Sequence, residues 1–293
     1  MINKLIHDWP VRGYHMEDFG VDDLPPMLSA STAQRLLLRS PLHAWLGHPK
    51  LGGLRGESTE AMENGTLIHA LLLERGAEVV TVEADSWRTN AAKEAREKAQ
   101  ASGRIAVLAH KLKHAQNTAD ILRKRMELAG LRLDGDSEVT ALWNVDGVQC
   151  RGLFDHLCSD DKTIVDVKST ESAHPSAIQR SIELYGYDVQ AEAYRQALET
   201  IRPELAGGVR FLWCFVETVE PHAVTIVEPA GSLRELGRRR WRRAVAKWKE
   251  CLATKTWPAY STEIVQVEAS PWAEARELEI QAEAYDKAPE VDF

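Results

Sequence analysis

Residues 138–170 read EVTALWNVDGVQCRGLFDHLCSDDKTIVDVKST. Three runs of strand-like composition are separated by two turn signals, Asp146-Gly147 and Ser159-Asp160-Asp161-Lys162. The pattern is that of an antiparallel three-strand meander. If Asp146-Gly147 is a two-residue loop, Val145 faces Val148 and, carried along the pair, Glu138 faces Asp155. If Asp160-Asp161 is a second such loop, Ser159 faces Lys162 and Asp155 faces Asp166. Three carboxylates then stand in a row on one face, with Lys168 one pleat beyond Asp166, because side chains alternate along a strand. Like charges directly opposite one another destabilise a sheet, so the row asks for a compensating cation. A hard divalent metal with oxygen donors is the natural one.

The surrounding chain reads as support for this stretch. Its 293 residues, 44% hydrophobic, suffice for one large core. Residues 1–28, with Pro10, Gly13, Gly20 and Pro25-Pro26, read as an N-terminal arm, and residues 29–258 as a single domain. Ser29-Ala30-Ser31-Thr32 caps a helix that Ser40-Pro41 ends, and a Gly-rich loop spans 51–56. A second helix starts at Glu60, carries His69 at its middle and stops at Gly76. An Ala-, Lys-, Glu- and Arg-rich insertion at about 88–130 reads as two helices, 91–101 and 106–129. After the meander, Gly186 divides a short helix from one running from Asp188 to Ile201. Two strands follow, Val209 to Glu217 and His222 to Glu228, then a basic helix, 231–254, and an acidic tail, 259–293.

Net charge is −8, which argues against a protein coated all over by nucleic acid but allows a local basic track. The run Arg238 to Lys249, with Trp241 and Trp248, is a candidate for one. The start MINKLIHDWPVRGYH lacks a signal-peptide pattern and no apolar run is long enough for a bilayer, so a cytoplasmic protein with no membrane partner is expected. Cys150, Cys158, Cys214 and Cys251 have no zinc-like spacing and read as small buried side chains.

The chemistry concentrates in Gly152-x-x-Asp155, Asp166-Val167-Lys168 and Gln190-x-x-x-Tyr194. Carboxylates on adjacent strands can hold Mg²⁺ while leaving positions for water and a phosphate oxygen. A lysine one pleat away can orient or help deprotonate an attacking water and neutralise transition-state charge. Gln190 and Tyr194, four apart on one helix face, can contact phosphate or buttress Lys168.

In this order the motifs resemble the PD-(D/E)XK nuclease superfamily and its RecB-like group. Gly65-Thr66-Leu67-Ile68-His69 looks like that group's GxxxH helix, and Glu138 stands where an additional acidic residue precedes the Gly-x-x-Asp strand. SASTAQRLLLRSP, GTLIHALLLE and YDVQAEAY extend the likeness, over about residues 28–255, to the phage and prophage exodeoxyribonuclease VIII (RecE-type) subfamily. The resemblance implies an α/β fold with a restriction-endonuclease-like core, a central mixed sheet flanked by helices. It also implies a Mg²⁺-dependent 5′ to 3′ exodeoxyribonuclease on linear double-stranded DNA, working in recombination as a homo-oligomeric ring beside a single-strand annealing protein, with Mn²⁺ a substitute metal. Asp155, Asp166 and the Val167 carbonyl would bind metal, Glu138 and His69 would complete its shell or serve a second ion, and Lys168 would serve the water. The cysteines lack the layout that holds an iron–sulfur cluster in some relatives, so none is expected. The same core also serves endonucleases and single-strand nucleases, and a catalytically silent DNA-binding scaffold could keep the fold.

Overall fold

The computed structural model describes residues 2–21, 23–54, 59–74 and 78–286. Residues 1–258 form one unit and 259–293 another. In chain order the first unit contains β1 (Lys4–Ile6), α1 (Val11–Met16), β2 (Leu28–Ser29), α2 (Ala30–Leu38), α3 (Pro41–Leu46), α4 (Glu60–Leu73), β3 (Val79–Val82) and α5 (Asn90–Ala101). It continues through β4 (Ile105–Leu108), α6 (Ala109–Leu128), β5 (Asp136–Val145), β6 (Val148–Leu157), β7 (Thr163–Thr170), α7 (Pro175–Tyr185) and α8 (Tyr187–Ile201). Last come β8 (Arg210–Glu217), β9 (Val224–Val227) and α9 (Gly231–Thr254). The second unit contains α10 (Pro271–Asp286).

Seven strands make a mixed sheet in the order β1-β5-β6-β7-β8-β9, with β2 added beside β6. The expected α/β class and central mixed sheet are therefore present. One face is covered by α2, α7, α8 and α9 over a core that includes Trp143, Trp213, Trp241, Trp248, Phe154 and Phe211. On the other face Leu72 of α4 and Leu122 and Met126 of α6 pack on Val165, Val167, Cys214 and Val216. Because Val165 and Val167 point to the α4–α6 side, alternation sends Asp166 and Lys168 toward α8.

Asp146 and Gly147 both have positive φ, 52° and 84°, and close the first hairpin with Val145 opposite Val148. The second turn differs from the expected two-residue loop: Cys158 N–H donates to the Thr163 carbonyl, so residues 159–162 form a four-residue loop. The Asp160 carboxylate organises it by accepting from the N–H groups of Lys162 and Thr163. Register is unchanged, with His156 opposite Val165. Ser40-Pro41 ends α2 as read and also starts α3, with Pro41 in its first turn and Ser40 accepting from His43 N–H. α4 ends at Leu73, with Glu74 as its C-cap in the left-handed region, ahead of the expected stop at Gly76, which lies outside the described residues. The insertion adds, besides its two helices, a parallel strand pair, β3 with β4.

The N-terminal arm is built into the sheet, β1 pairing antiparallel with β5. It is anchored by Glu17, whose Oε1 lies 2.9 Å from both His48 Nε2 and Arg151 Nε, with all three residues buried. Burial opposes ionisation of Glu17, but His48 and Arg151 outweigh it and the pKa is lowered. A lowered carboxylate pKa contributes stability above the ordinary carboxylate range, which is lost as pH falls through the lowered value. Arg151→Met would leave Glu17 short of a partner and should cost about 3–5 kcal/mol by urea unfolding. The exposed Arg210–Glu228 pair serves as a control, since breaking it should cost at most about 1 kcal/mol.

Candidate active site

On its edge away from β5, β6 is paired at two levels: with β2 at Cys150 and Arg151, and with β7 at His156 and Leu157. Between them, from Gly152 to Asp155, no strand is paired among the described residues, while β7 runs on to Thr170 against β8. A residue in a strand points its N–H and C=O to the same edge, so Val167 turns both toward the space that β6 has left. Buried backbone polar groups need partners. Two side chains supply them: Val167 N–H donates to Asp155 Oδ2 at 2.8 Å, and the Val167 carbonyl lies 2.9 Å from His69 Nε2. His69 Nε2 is also 3.6 Å from Asp155 Oδ2.

Two glycines bring the helices close enough. A Cβ on Gly65 would lie 2.9 Å from Ser169 Oγ, so glycine lets α4 approach β7 one turn before His69. A Cβ on Gly152 would lie 2.9 Å from Tyr194 Cε1. The Tyr194 ring fills that space, stacked between Phe154 and Phe211, with centroids 5.0 and 6.2 Å away. This is the physical content of the Gly-x-x-Asp and GxxxH spacings.

Asp166 is buried; its Oδ1 accepts from Gln190 Nε2 at 2.6 Å. Its Oδ2 has no aligned hydrogen bond among the described residues and is held by the Lys168 ammonium at 2.5 Å. Lys168 also lies over the Tyr187 ring, 4.9 Å from its centroid. Burial works against the lysine's charge, but Asp166, Asp155 and Tyr187 outweigh it and the pKa is raised. Lys168 is thus an ammonium at neutral pH, suited to orienting a nucleophile rather than taking its proton.

Glu138 is level with Asp155, between the Ser137–His156 and Val139–Phe154 pairs. Its φ is +56°, rare for a residue that is neither glycine, asparagine nor aspartate, and the ladder skips it. Between β5 and β6 the expected register therefore holds on both sides of Glu138 and Asp155, whereas between β6 and β7 it holds only up to His156–Val165, and Asp155 and Asp166 are not paired. Burial, then the Asp155 charge, push the Glu138 pKa up to about 7, opposed by His69. Burial and Asp155 likewise raise Asp166 to about 6, against the pull of Lys168.

The fold thus draws His69, Glu138, Asp155, Asp166, Val167, Lys168 and Gln190 together. It puts Tyr194 behind them in the core, where its ring packs on Gly152. Among the described residues no three Asp, Glu, His or Cys side chains close around one point. The donors include the Val167 carbonyl, and carboxylate, carbonyl and imidazole, with an Asp166 Oδ2 that meets the Lys168 ammonium but no aligned hydrogen bond among the described residues, form a set that fits a hard divalent cation.

Sequence reading missed Tyr187, although its place three residues before Gln190 on one helix face was a usable signal. Several charges of the basic α9 are met within the chain. Arg240 pairs with buried Asp188, Arg238 approaches buried Glu192, Lys247 pairs with Glu250, and Lys249 caps the Asp146 carbonyl. Much of that charge is committed within the chain.

Because the folded protein holds the Asp166 and Glu138 protons more tightly than the unfolded chain does, the metal-free fold should lose stability as pH rises toward about 7. A divalent ion that needs these carboxylates ionised reverses the loss. Mg²⁺ should therefore raise the melting temperature at pH 8 and hardly at pH 5 by scanning fluorimetry; equal shifts at both would count against these donors.

The model of the PDDEXK-like domain of unknown function (DUF3799) matches residues 37–270. A crystal structure from Eubacterium rectale, provisionally named an exonuclease, superposes with a TM-score of 0.60 at 12% identity, covering 90% of this chain and 97% of that one. At such identity the likeness speaks to the fold alone. A phage-related exonuclease from Haemophilus somnus 129PT shares 15% identity over 64% of this chain and 95% of its own, but its TM-score of 0.32 is too low to bear on the fold. The curated proteins contain no match to the sequence.

Proposed function

We propose, from the premise that the chain belongs to the family of PDDEXK-like domains, that it is a divalent-metal-dependent nuclease acting as an exonuclease on linear double-stranded DNA. The observation that carries this reading is the trio Asp155, Asp166 and Lys168 around the Val167 peptide, where β6 and β7 part. Asp155, Asp166, the Val167 carbonyl and, beside them, Glu138 and His69 would hold the ion, with Mg²⁺ the first candidate and Mn²⁺ its substitute. When bound, such an ion supplies Lewis acidity toward a phosphodiester and acidifies water at neutral pH.

The chain's own groups do the rest. Lys168 presents a fixed ammonium that can orient the attacking water and offset charge developing on phosphate. Gln190 holds the Asp166 carboxylate through one oxygen and leaves the other toward Lys168. Tyr194, one turn on along α8, packs behind Gln190 in the core, and Tyr187 shields the ammonium. The 5′ to 3′ direction, the ring, the recombination role and an annealing partner are part of the proposal through the likeness of the sequence motifs to RecE-type enzymes.

Digestion of end-labelled duplex in Mg²⁺, against EDTA and covalently closed circles, tests the reading. Loss of 5′ label first, sparing of circles and no activity in EDTA are expected. Asp166→Ala and Lys168→Ala should each lower the rate by roughly 100- to 1000-fold or more. Undiminished digestion by either variant would remove these residues from the site, and attack on circles would make the enzyme an endonuclease.

A further inference from the structure

The helical insertion closes over α4 to form a cavity of about 640 Å³ that the catalytic reading does not use. That volume suits a small organic ligand. Asn64 and Leu67 of α4 line it, whereas Gly65 and His69 turn to the sheet. At 100° per residue these pairs lie on opposite sides of the helix, so cavity and carboxylates are separated by one helix diameter, about 10 Å.

The floor is apolar, formed by Leu67, Ile105 and Val107. At one wall the Arg96 guanidinium lies over the Trp87 ring, 5.1 Å from its centroid, and Trp87 is half-buried. Two carboxylates in the lining are already matched, Glu63 by Arg96 and Glu60 by Lys111. The remaining cation is Arg104, whose carboxylate contact, with Glu78, is long at 3.9 Å. Three Lys and Arg side chains against two Glu leave the Lys, Arg and Glu of the lining with one positive charge. That balance suits the single charge of a phosphodiester better than a multiply charged phosphate.

We propose that this cavity holds an unpaired nucleotide of a DNA strand, its base against Trp87 and Arg96, its edge within reach of Asn64, and its phosphate at Arg104. The proposal deepens the nuclease reading and rests on it for the identity of the strand. It gives the insertion a substrate-holding role at a site one helix away from the cleaving one.

Anisotropy of a fluorescein-labelled short oligothymidylate, titrated with the full chain in EDTA, tests it without cleavage. Trp87→Ala should weaken binding by roughly 5- to 150-fold, the range of one lost base–aromatic stack, and Trp87→Phe should restore most of it. Arg104→Ala should reduce the slope of log affinity against log salt by about 0.7, one single-strand phosphate contact. Wild-type affinity in Trp87→Ala, or failure of the Phe variant to rescue, would overturn the proposal. Equal competition by deoxyadenosine monophosphate would transfer the site from a strand to a free nucleotide and overturn it too. The two readings fail separately. Digestion in Mg²⁺ with Trp87-independent binding removes the cavity, whereas Trp87-dependent binding with no digestion removes the nuclease.

Discussion

The Val167 peptide is the point on which the site depends. Where β6 and β7 part, a bare N–H and C=O would otherwise be left inside the protein, and each such orphan costs about 1–3 kcal/mol. Asp155 satisfies the first and His69 lies against the second. The groups assigned to metal binding are therefore the groups that mend the sheet, and the opening between two strands becomes the place where polar groups from α4, β5, β6 and β7 meet. An uninterrupted ladder would have left Asp155 an ordinary cross-strand carboxylate.

The polar network divides cleanly around this point. Asp166 and Lys168 face α8, where Gln190 and Tyr187 hold them. The opposite side of α8 has its own buried acids, Asp188 and Glu192, balanced by arginines of α9 and by Arg195. Leaving a buried carboxylate without its partner is costly, so those arginines are needed for the helix pair irrespective of any ligand. In the insertion Arg96 and Lys111 are matched by Glu63 and Glu60, and Arg104, with a carboxylate contact of 3.9 Å, is the more loosely held cation of the cavity that Trp87 lines.

Much of this was legible in the sequence. Asp146-Gly147 dictates a tight hairpin because both residues tolerate positive φ, and that alone fixes Glu138 beside Asp155. The second turn was misread in length, yet a four-residue loop keeps the register of a two-residue one, so the strands keep the expected register as far as His156 and Val165, the pair next to Asp155 and Asp166. The break in the ladder was not legible, because β6 carries strand composition straight through it and nothing marks Glu138 for a left-handed φ. The arm was opaque for a similar reason. Its strand is three residues long, and the Glu17–His48–Arg151 anchor joins positions far apart in the chain. Local patterns reveal turns, helix caps and spacings; where a strand leaves its neighbour is decided by packing of α4 and α8 from either side.

The central claim is that Asp155 and the groups around the Val167 peptide constitute a divalent-cation site. Calorimetric titration of Mn²⁺ into the wild-type protein and Asp155→Asn at pH 7, repeated in buffers of different ionisation enthalpy, measures it directly. With the Glu138 carboxyl near pKa 7 and Asp166 near 6, binding should release protons and the heat should depend on buffer. Asp155→Asn should abolish or greatly weaken the binding. No Mn²⁺ binding to the wild type, or equal binding by the variant, would contradict the account.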